Sequence, residues 1–169
     1  MGHNYLDYRN NIQSGDLLVW DKGTKTTISH LTLEAVRLFT RSEYAHTAIA
    51  WHVAGRLFII EATMPEIRIM PLSGKEDFYH IPMHINWQRD YENWLLDKVG
   101  LEYSISDGVR AYLGNTTEDD NTWQCAELCN KFYRFIGINL GNSYTPAKLV
   151  RKVLEEMLTT ITYVNSIKQ

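Results

Sequence analysis

Residues 46–63 read HTAIAWHVAGRLFIIEAT. Two β-forming runs, His46 to Val53 and Leu57 to Thr63, flank the pair Ala54-Gly55. The pattern predicts a β-hairpin with a tight turn. With Ala54 and Gly55 as the turn, Val53 pairs with Arg56, Ala48 with Glu61, and His46 with Thr63. Side chains alternate along a strand, so His46, Ala48, Glu61 and Thr63 share one face. His46 then lies diagonal to Glu61, within reach of a long side chain. A carboxylate there would orient the imidazole and favour its charged form, as the acid does in nucleophile–base–acid systems. The plainer reading of the same pair is a solvent-facing ion pair.

Outward from the hairpin, Ser14-Gly15 signals a turn and Asp16 to Trp20 a short strand. Asp21 to Thr27 is polar and predicts a loop. Ser29 is placed to cap a helix over His30 to Phe39. Ile67 to Leu72 and Phe78 to Ile85 read as further strands. Tyr91, Trp94, Leu95 and Val99 recur at helical spacing, with Gly100 as a stop. Glu118-Asp119-Asp120 reads as an acidic loop. Trp123 to Ile136 predicts a helix with Leu128, Phe132 and Phe135 on its core face, followed by Gly137. Thr145-Pro146 opens a last helix whose apolar face is Leu149, Val150, Val153, Leu154 and Met157. The expected class is α+β: a small, mostly antiparallel sheet packed with helices. The 169 residues, without repeats or linker-like tracts, are expected to form one domain over 1–169.

Composition narrows the function. The chain carries 17 Lys and Arg against 20 Asp and Glu, a net charge of −3, so a basic nucleic-acid footprint is not expected. No stretch approaches the roughly 18 consecutive apolar residues of a membrane span. The opening residues MGHNYLDYRNN lack the pattern of a signal peptide, which points to a cytoplasmic protein or one released without such a signal. Two cysteines exclude a disulfide scaffold.

Cys125 falls where a helix begins, with Asn121 or Thr122 as the expected N-cap. Unpaired N–H groups and the helix dipole stabilise an anion there. An ordinary thiol has a pKa near ~8.5 and is only a few per cent thiolate at neutral pH. Lowering that pKa by two units takes about 2.7 kcal/mol. A helix N-terminus and a neighbouring imidazolium are the usual sources of it. The competing reading is a small buried hydrophobe. Cys129, one turn further on, reads as packing; a disulfide between the two is sterically poor. Zinc held by Cys125, Cys129 and histidines is a weaker alternative, since no second cysteine pair or close His pair follows. His52 is expected at the surface, near the hairpin turn. His80 and His84 share a strand face, but their apolar neighbours suggest an ordinary half-buried strand rather than a metal site. No metal and no other cofactor is expected. Trp87, Trp94 and Trp123 read as core more readily than as groove lining.

The ordered set resembles a known group. It runs Ser14-Gly15-Asp16, then Ser42-Glu43-Tyr44-Ala45-His46-Thr47-Ala48-Ile49, then Ile60-Glu61-Ala62. Gly100-Leu101-Glu102-Tyr103, Trp123-Gln124-Cys125-Ala126-Glu127-Leu128 and Thr145-Pro146-Ala147-Lys148-Leu149 follow. Over roughly Ile12 to Leu154 this is similar to the circularly permuted papain-like cysteine hydrolases of the NlpC superfamily, in particular their YiiX-like branch. The resemblance implies a permuted papain-like fold with the nucleophile at a helix N-terminus. It implies Cys125 as nucleophile, His46 as base and Glu61 as the residue orienting the imidazole. Tyr103 would help line the oxyanion or substrate pocket, and the backbone N–H of Cys125 would serve the oxyanion. Two positions depart from the pattern: Ala126 stands where serine is frequent, and Gln124 where a bulky apolar residue is usual. Gln124 would offer a side-chain donor near the oxyanion.

The expected activity is hydrolysis of an amide bond, in a peptide or peptidoglycan-type substrate, through an acyl-enzyme. Alternatives are a lipid acyl ester hydrolase or acyltransferase on the same fold, and a non-catalytic module that keeps the groove.

Overall fold

The protein is described by a computed structural model over residues 2–21, 44–103 and 122–166. In chain order it runs β1 (His3–Asn4), α1 (Tyr5–Tyr8), β2 (Leu17–Asp21), β3 (Tyr44–Val53), β4 (Arg56–Ala62), β5 (Ile67–Pro71) and β6 (Phe78–Ile81). Then come α2 (Arg89–Leu96), β7 (Glu102–Tyr103), β8 (Thr122–Trp123), α3 (Cys125–Phe135), α4 (Pro146–Met157) and β9 (Thr162–Asn165). The architecture is α+β. Seven strands form an open sheet in the order β1-β9-β6-β2-β3-β4-β5. Every neighbouring pair in it is antiparallel except β1–β9. The separate β7–β8 pair is parallel.

The hairpin has the register read from the sequence. Val53 pairs with Arg56 and Ile49 with Ile60. Ala54 and Gly55 take φ of 49° and 73°, the two left-handed positions a tight hairpin turn needs. Alternation along these strands divides the core. Leu17, Val19, Ile49, Ile60 and Ala62 pack under the helices with Leu128, Cys129, Phe132, Leu149 and Val153. Leu18, Trp20, Ala48, Ala50 and Ile59 face the other way, covered by Tyr5, Ile12, Leu72, Phe78 and Val164. His46 and Glu61 belong to this second face.

Ser14-Gly15-Asp16 has a structural role. Gly15 sits at φ +92°, and a Cβ there would come within 2.9 Å of Ile85. The Asp16 carboxylate accepts from the Gln13 N–H at 2.7 Å, the Met83 N–H at 2.8 Å and His80 Nε2 at 2.8 Å. The Tyr8 hydroxyl lies 3.0 Å from the remaining His80 nitrogen. These bonds tie the N-terminal segment to β2 and β6 and satisfy a carboxylate that is almost fully buried.

Several sequence expectations shift. The strand expected over Phe78 to Ile85 stops at Ile81, because Pro82 offers no N–H to the ladder. His84 takes a left-handed φ of 52° and so does not share a strand face with His80. The expected helix at Trp123 starts at Cys125, because Trp123 is held in β8 by pairing with Tyr103. Its N-cap is Gln124, not Asn121 or Thr122. On α3 the inward residues are Leu128, Cys129, Phe132 and Tyr133. Phe135 is 48% exposed and stacks on Trp94 at 5.4 Å. Thr145 does stand at the N-cap of α4, with Pro146 in the first turn, but its side chain makes no capping bond. The short β1, α1 and β9 had no strong periodic signal. The expected helix over His30 to Phe39 and the acidic loop at Glu118-Asp119-Asp120 lie outside the described residues, as does most of the loop expected over Asp21 to Thr27. Among the described residues, no helix is long and apolar enough to cross a membrane.

Candidate active site

Three elements converge near the start of β3. Its partner β2 aligns Trp20 with His46, and the register shifts between Trp20 and Asp21. Such a shift twists and re-aims a strand locally. From β4, Glu61 projects onto the same face as His46. From the helix side, α3 brings Cys125 at its first residue.

His46 is 2% exposed and Glu61 is fully buried. His46 Nε2 lies 2.6 Å from Glu61 Oε2. A carboxylate can only accept, so Nε2 carries the proton. The diagonal placement read from the sequence is therefore a direct hydrogen bond, and it is buried rather than solvent-facing. Cys125 lies near enough to the same imidazole for each group to shift the other's titration. With Nε2 committed to Glu61, Nδ1 is the nitrogen left for the thiol. The Trp20 ring stands against this imidazole at 5.5 Å between centroids.

The electrostatics follow from the contacts. Burial pulls the His46 pKa down, but hydrogen bonds to Cys125 and Glu61, with their negative charges, outweigh it and raise it to about 9. Burial also pushes the Cys125 thiol up. The hydrogen bond and charge of His46, with hydrogen bonds from the Thr47 backbone and side chain, bring it below its ordinary value. Glu61 is pushed up by burial and held well below the carboxylate range by His46 first and Lys75 next. The arrangement therefore favours a thiolate–imidazolium pair. The two protons belong to the pair rather than to either residue.

Cys125 also opens a helix. The first intrahelical bond is Leu128 N–H to the Gln124 carbonyl, at 2.9 Å. The N–H groups of Cys125, Ala126 and Glu127 thus have no acceptor within the helix, the usual condition for binding an anion. The side chain of Gln124 is buried and makes no bond to the helix start. Tyr103 is held beside this end by β7–β8 pairing with Trp123 and by its N–H bond to the Pro65 carbonyl at 2.9 Å. Burial, and then the charge of Cys125, raise its phenol well above the ordinary value.

Cys129 differs from Cys125. Its thiol donates to Thr47 Oγ1 at 3.6 Å, and burial pushes its pKa well up. It is packed and protonated. His52 is exposed, and Trp123 is buried. Trp87 and Trp94 are partly buried against Phe132. Among the described residues, no group of three or more His, Cys, Asp and Glu side chains is arranged to hold a metal ion.

Sequence reasoning missed Thr47, Lys75 and Arg68. Lys75 Nζ donates to both Glu61 oxygens, at 2.8 and 2.7 Å, and Arg68 Nε donates to Oε1 at 3.0 Å. Arg68 had a readable signal, since a β4–β5 hairpin pairs it with Glu61. Lys75 had none, because it follows a one-turn helix at Leu72–Gly74 that no pattern announced.

The backbone has a solved counterpart. A crystal structure of the metalloprotein YiiX from Escherichia coli O157:H7 superposes with a TM-score of 0.58, covering 92% of this chain and 89% of that one. The fold is YiiX-like. Sequence identity to that protein is 16%, so the likeness is one of fold. No protein-family model matches the chain. No curated protein matches it either.

Proposed function

We propose that the chain is a permuted papain-like cysteine hydrolase, one domain over 1–169, that cleaves an amide bond in a peptide or peptidoglycan-type substrate. Cys125 is the nucleophile, His46 the acid and base, and Glu61 the residue that orients the imidazole. One observation carries the reading: the His46 ring lies between a thiol at a helix N-terminus and a fully buried carboxylate.

The chemistry follows from those positions. The Cys125 thiolate attacks the carbonyl carbon, forming a C–S bond while the π electrons move to oxygen. Backbone N–H groups at the start of α3 hold that oxyanion, with Gln124 and Tyr103 at the rim. Collapse breaks the C–N bond, and the leaving amine takes the Nδ1 proton of His46. Neutral His46 then removes a proton from water as its oxygen attacks the thioester. The second collapse expels the thiolate, releases the acid and restores the ion pair. A non-catalytic groove gives no reason to bury a thiol between an imidazole and a helix start.

The YiiX neighbour is a metalloprotein, but the residues here do not fit a metal ion. Both oxygens of Glu61 already accept from ammonium, guanidinium and imidazole groups, and a metal cation would have to displace them. Asp16 and His80 are likewise fully engaged with each other, with backbone N–H groups and with Tyr8.

The test compares two single variants. Cys125→Ala is expected to abolish iodoacetamide labelling at pH 6.5 and turnover of a panel of peptidyl amides, muropeptides and acyl esters. Cys129→Ala is expected to keep both. Equal labelling of the two variants would contradict the assignment, and turnover of acyl esters alone would move the substrate to the lipid class.

A further inference from the structure

Resting on the proposed Cys125 site, we infer that Lys75 is a positioning residue that keeps Glu61 charged through both protonation states of His46. It thereby holds the His46 proton on Nε2 and leaves Nδ1 for Cys125. Glu61 is fully buried, and its side chain faces three donors: His46, Lys75 and Arg68. In the proposed cycle His46 alternates between imidazolium and neutral imidazole. A carboxylate facing only His46 would become an uncompensated buried anion at each neutral stage, a costly state. The nearest relief is for the imidazolium to become neutral by giving its Nε2 proton to Glu61 instead of its Nδ1 proton to the leaving group. That leaves a neutral imidazole protonated on Nδ1, the tautomer that cannot take a proton there, and the wrong tautomer is known to disable such sites.

Lys75 removes the reason for that transfer. Its Nζ bridges both carboxylate oxygens, so the carboxylate is compensated whether or not His46 is charged. The Lys75 side chain is 9% exposed, against 38% for Arg68, so solvent and salt screen the lysine less. Its position is fixed from two sides. The Lys75 N–H closes the Leu72–Gly74 turn on the Leu72 carbonyl at 3.0 Å. Its Nζ stands 5.4 Å from the centre of the Trp20 ring, the same ring that backs His46. Trp20 thus walls both ends of the line from Lys75 through Glu61 to His46. Among the described residues, the other charged and titratable groups acting on this line are Arg68 from β5, Cys125 and Cys129 from α3, Tyr103 from β7, and Glu76 beside Lys75. Burial lowers the Lys75 ammonium below its ordinary value, with Glu61 acting against that shift.

The experiment follows the rate of Cys125 alkylation by iodoacetamide from pH 4 to 10, in a Cys129→Ala background. Removing a cation makes neighbouring protons harder to remove. Lys75→Met is therefore expected to move the acid limb of the profile up by about one unit, a roughly tenfold slower rate below that limb. Lys75→Gln, which keeps a donor without the charge, is expected to follow Lys75→Met. Lys75→Arg is expected to restore the original limb, and Arg68→Met to shift it less. An unshifted limb in the Met or Gln variant would overturn the inference. So would an equal fall at every pH in the Met and Arg variants, which marks packing alone. If the protein with Lys75 intact shows an ordinary thiol profile, the Cys125 reading itself fails, and that result is distinct from the other two.

Discussion

Replacing His46 with alanine is expected to lower turnover of any cleaved substrate by at least about ten-thousandfold. Nucleophile and base act as a unit, so losing one removes nearly everything their pairing provides. Alkylation of Cys125 should fall as well. Without the imidazole, burial pushes the thiol up against only the weaker hydrogen bonds from Thr47. A thiol at or above about 8.5 is roughly 1% ionised at pH 6.5, so labelling there should slow by about a hundredfold. Folding should change far less, because Glu61 keeps Lys75 and Arg68. A variant that retains a tenth of the turnover would contradict the assigned role. Turnover of the unchanged protein should itself decline as pH rises through about 9, where His46 loses the proton the leaving group needs.

Glu61→Gln is expected to act in the opposite proportion, with the larger effect on stability. Removing one partner of a buried ion pair leaves the others uncompensated, at a cost of about 3–5 kcal/mol. Lys75, Arg68 and His46 all lose their anion at once. Urea unfolding at pH 7 measures this, and a loss below about 1 kcal/mol would contradict the buried network. The pH dependence of stability should change with it. The His46 pKa is raised from 6.5 to about 9 on folding. Its contribution is full below about 6.5 and is lost as pH rises through about 9. Glu61 is depressed from 4.5, so its contribution is present above that value and is lost as pH falls into the acid range. In Glu61→Gln the acid loss from this group should vanish, and the alkaline loss should begin at lower pH.

The hairpin shows what the sequence makes readable and where reading stops. Strand alternation has a period of two, and Ala54-Gly55 sets the register. The His46–Glu61 contact follows from those two facts, and the structure has it at 2.6 Å. The position of Cys125 at a helix start was readable too, because helix periodicity begins just after it. What failed was decided by contacts distant in sequence. Trp123 looked helical but is held extended by Tyr103, twenty residues earlier. Phe135 looked inward but is turned toward Trp94 on α2. His80 looked like a partner of His84, yet the ladder between β2 and β6 gives it to Asp16. Lys75 reaches Glu61 only because a one-turn helix folds it back beneath Trp20. No local propensity encodes such a return. Thr47 was passed over because it points away from His46 in the alternation, yet that direction is the one that faces α3.

In the proposed site, His46 and Cys125 form a thiolate–imidazolium pair at neutral pH. The most direct measurement is the pH dependence of Cys125 alkylation by iodoacetamide in the Cys129→Ala protein, which leaves one thiol to report. The predicted result is a rise well below pH 8.5 and a plateau through neutral pH, with a further change at about 9 as His46 loses its proton. A single rise at or above about pH 8.5, as for an ordinary thiol, would contradict it.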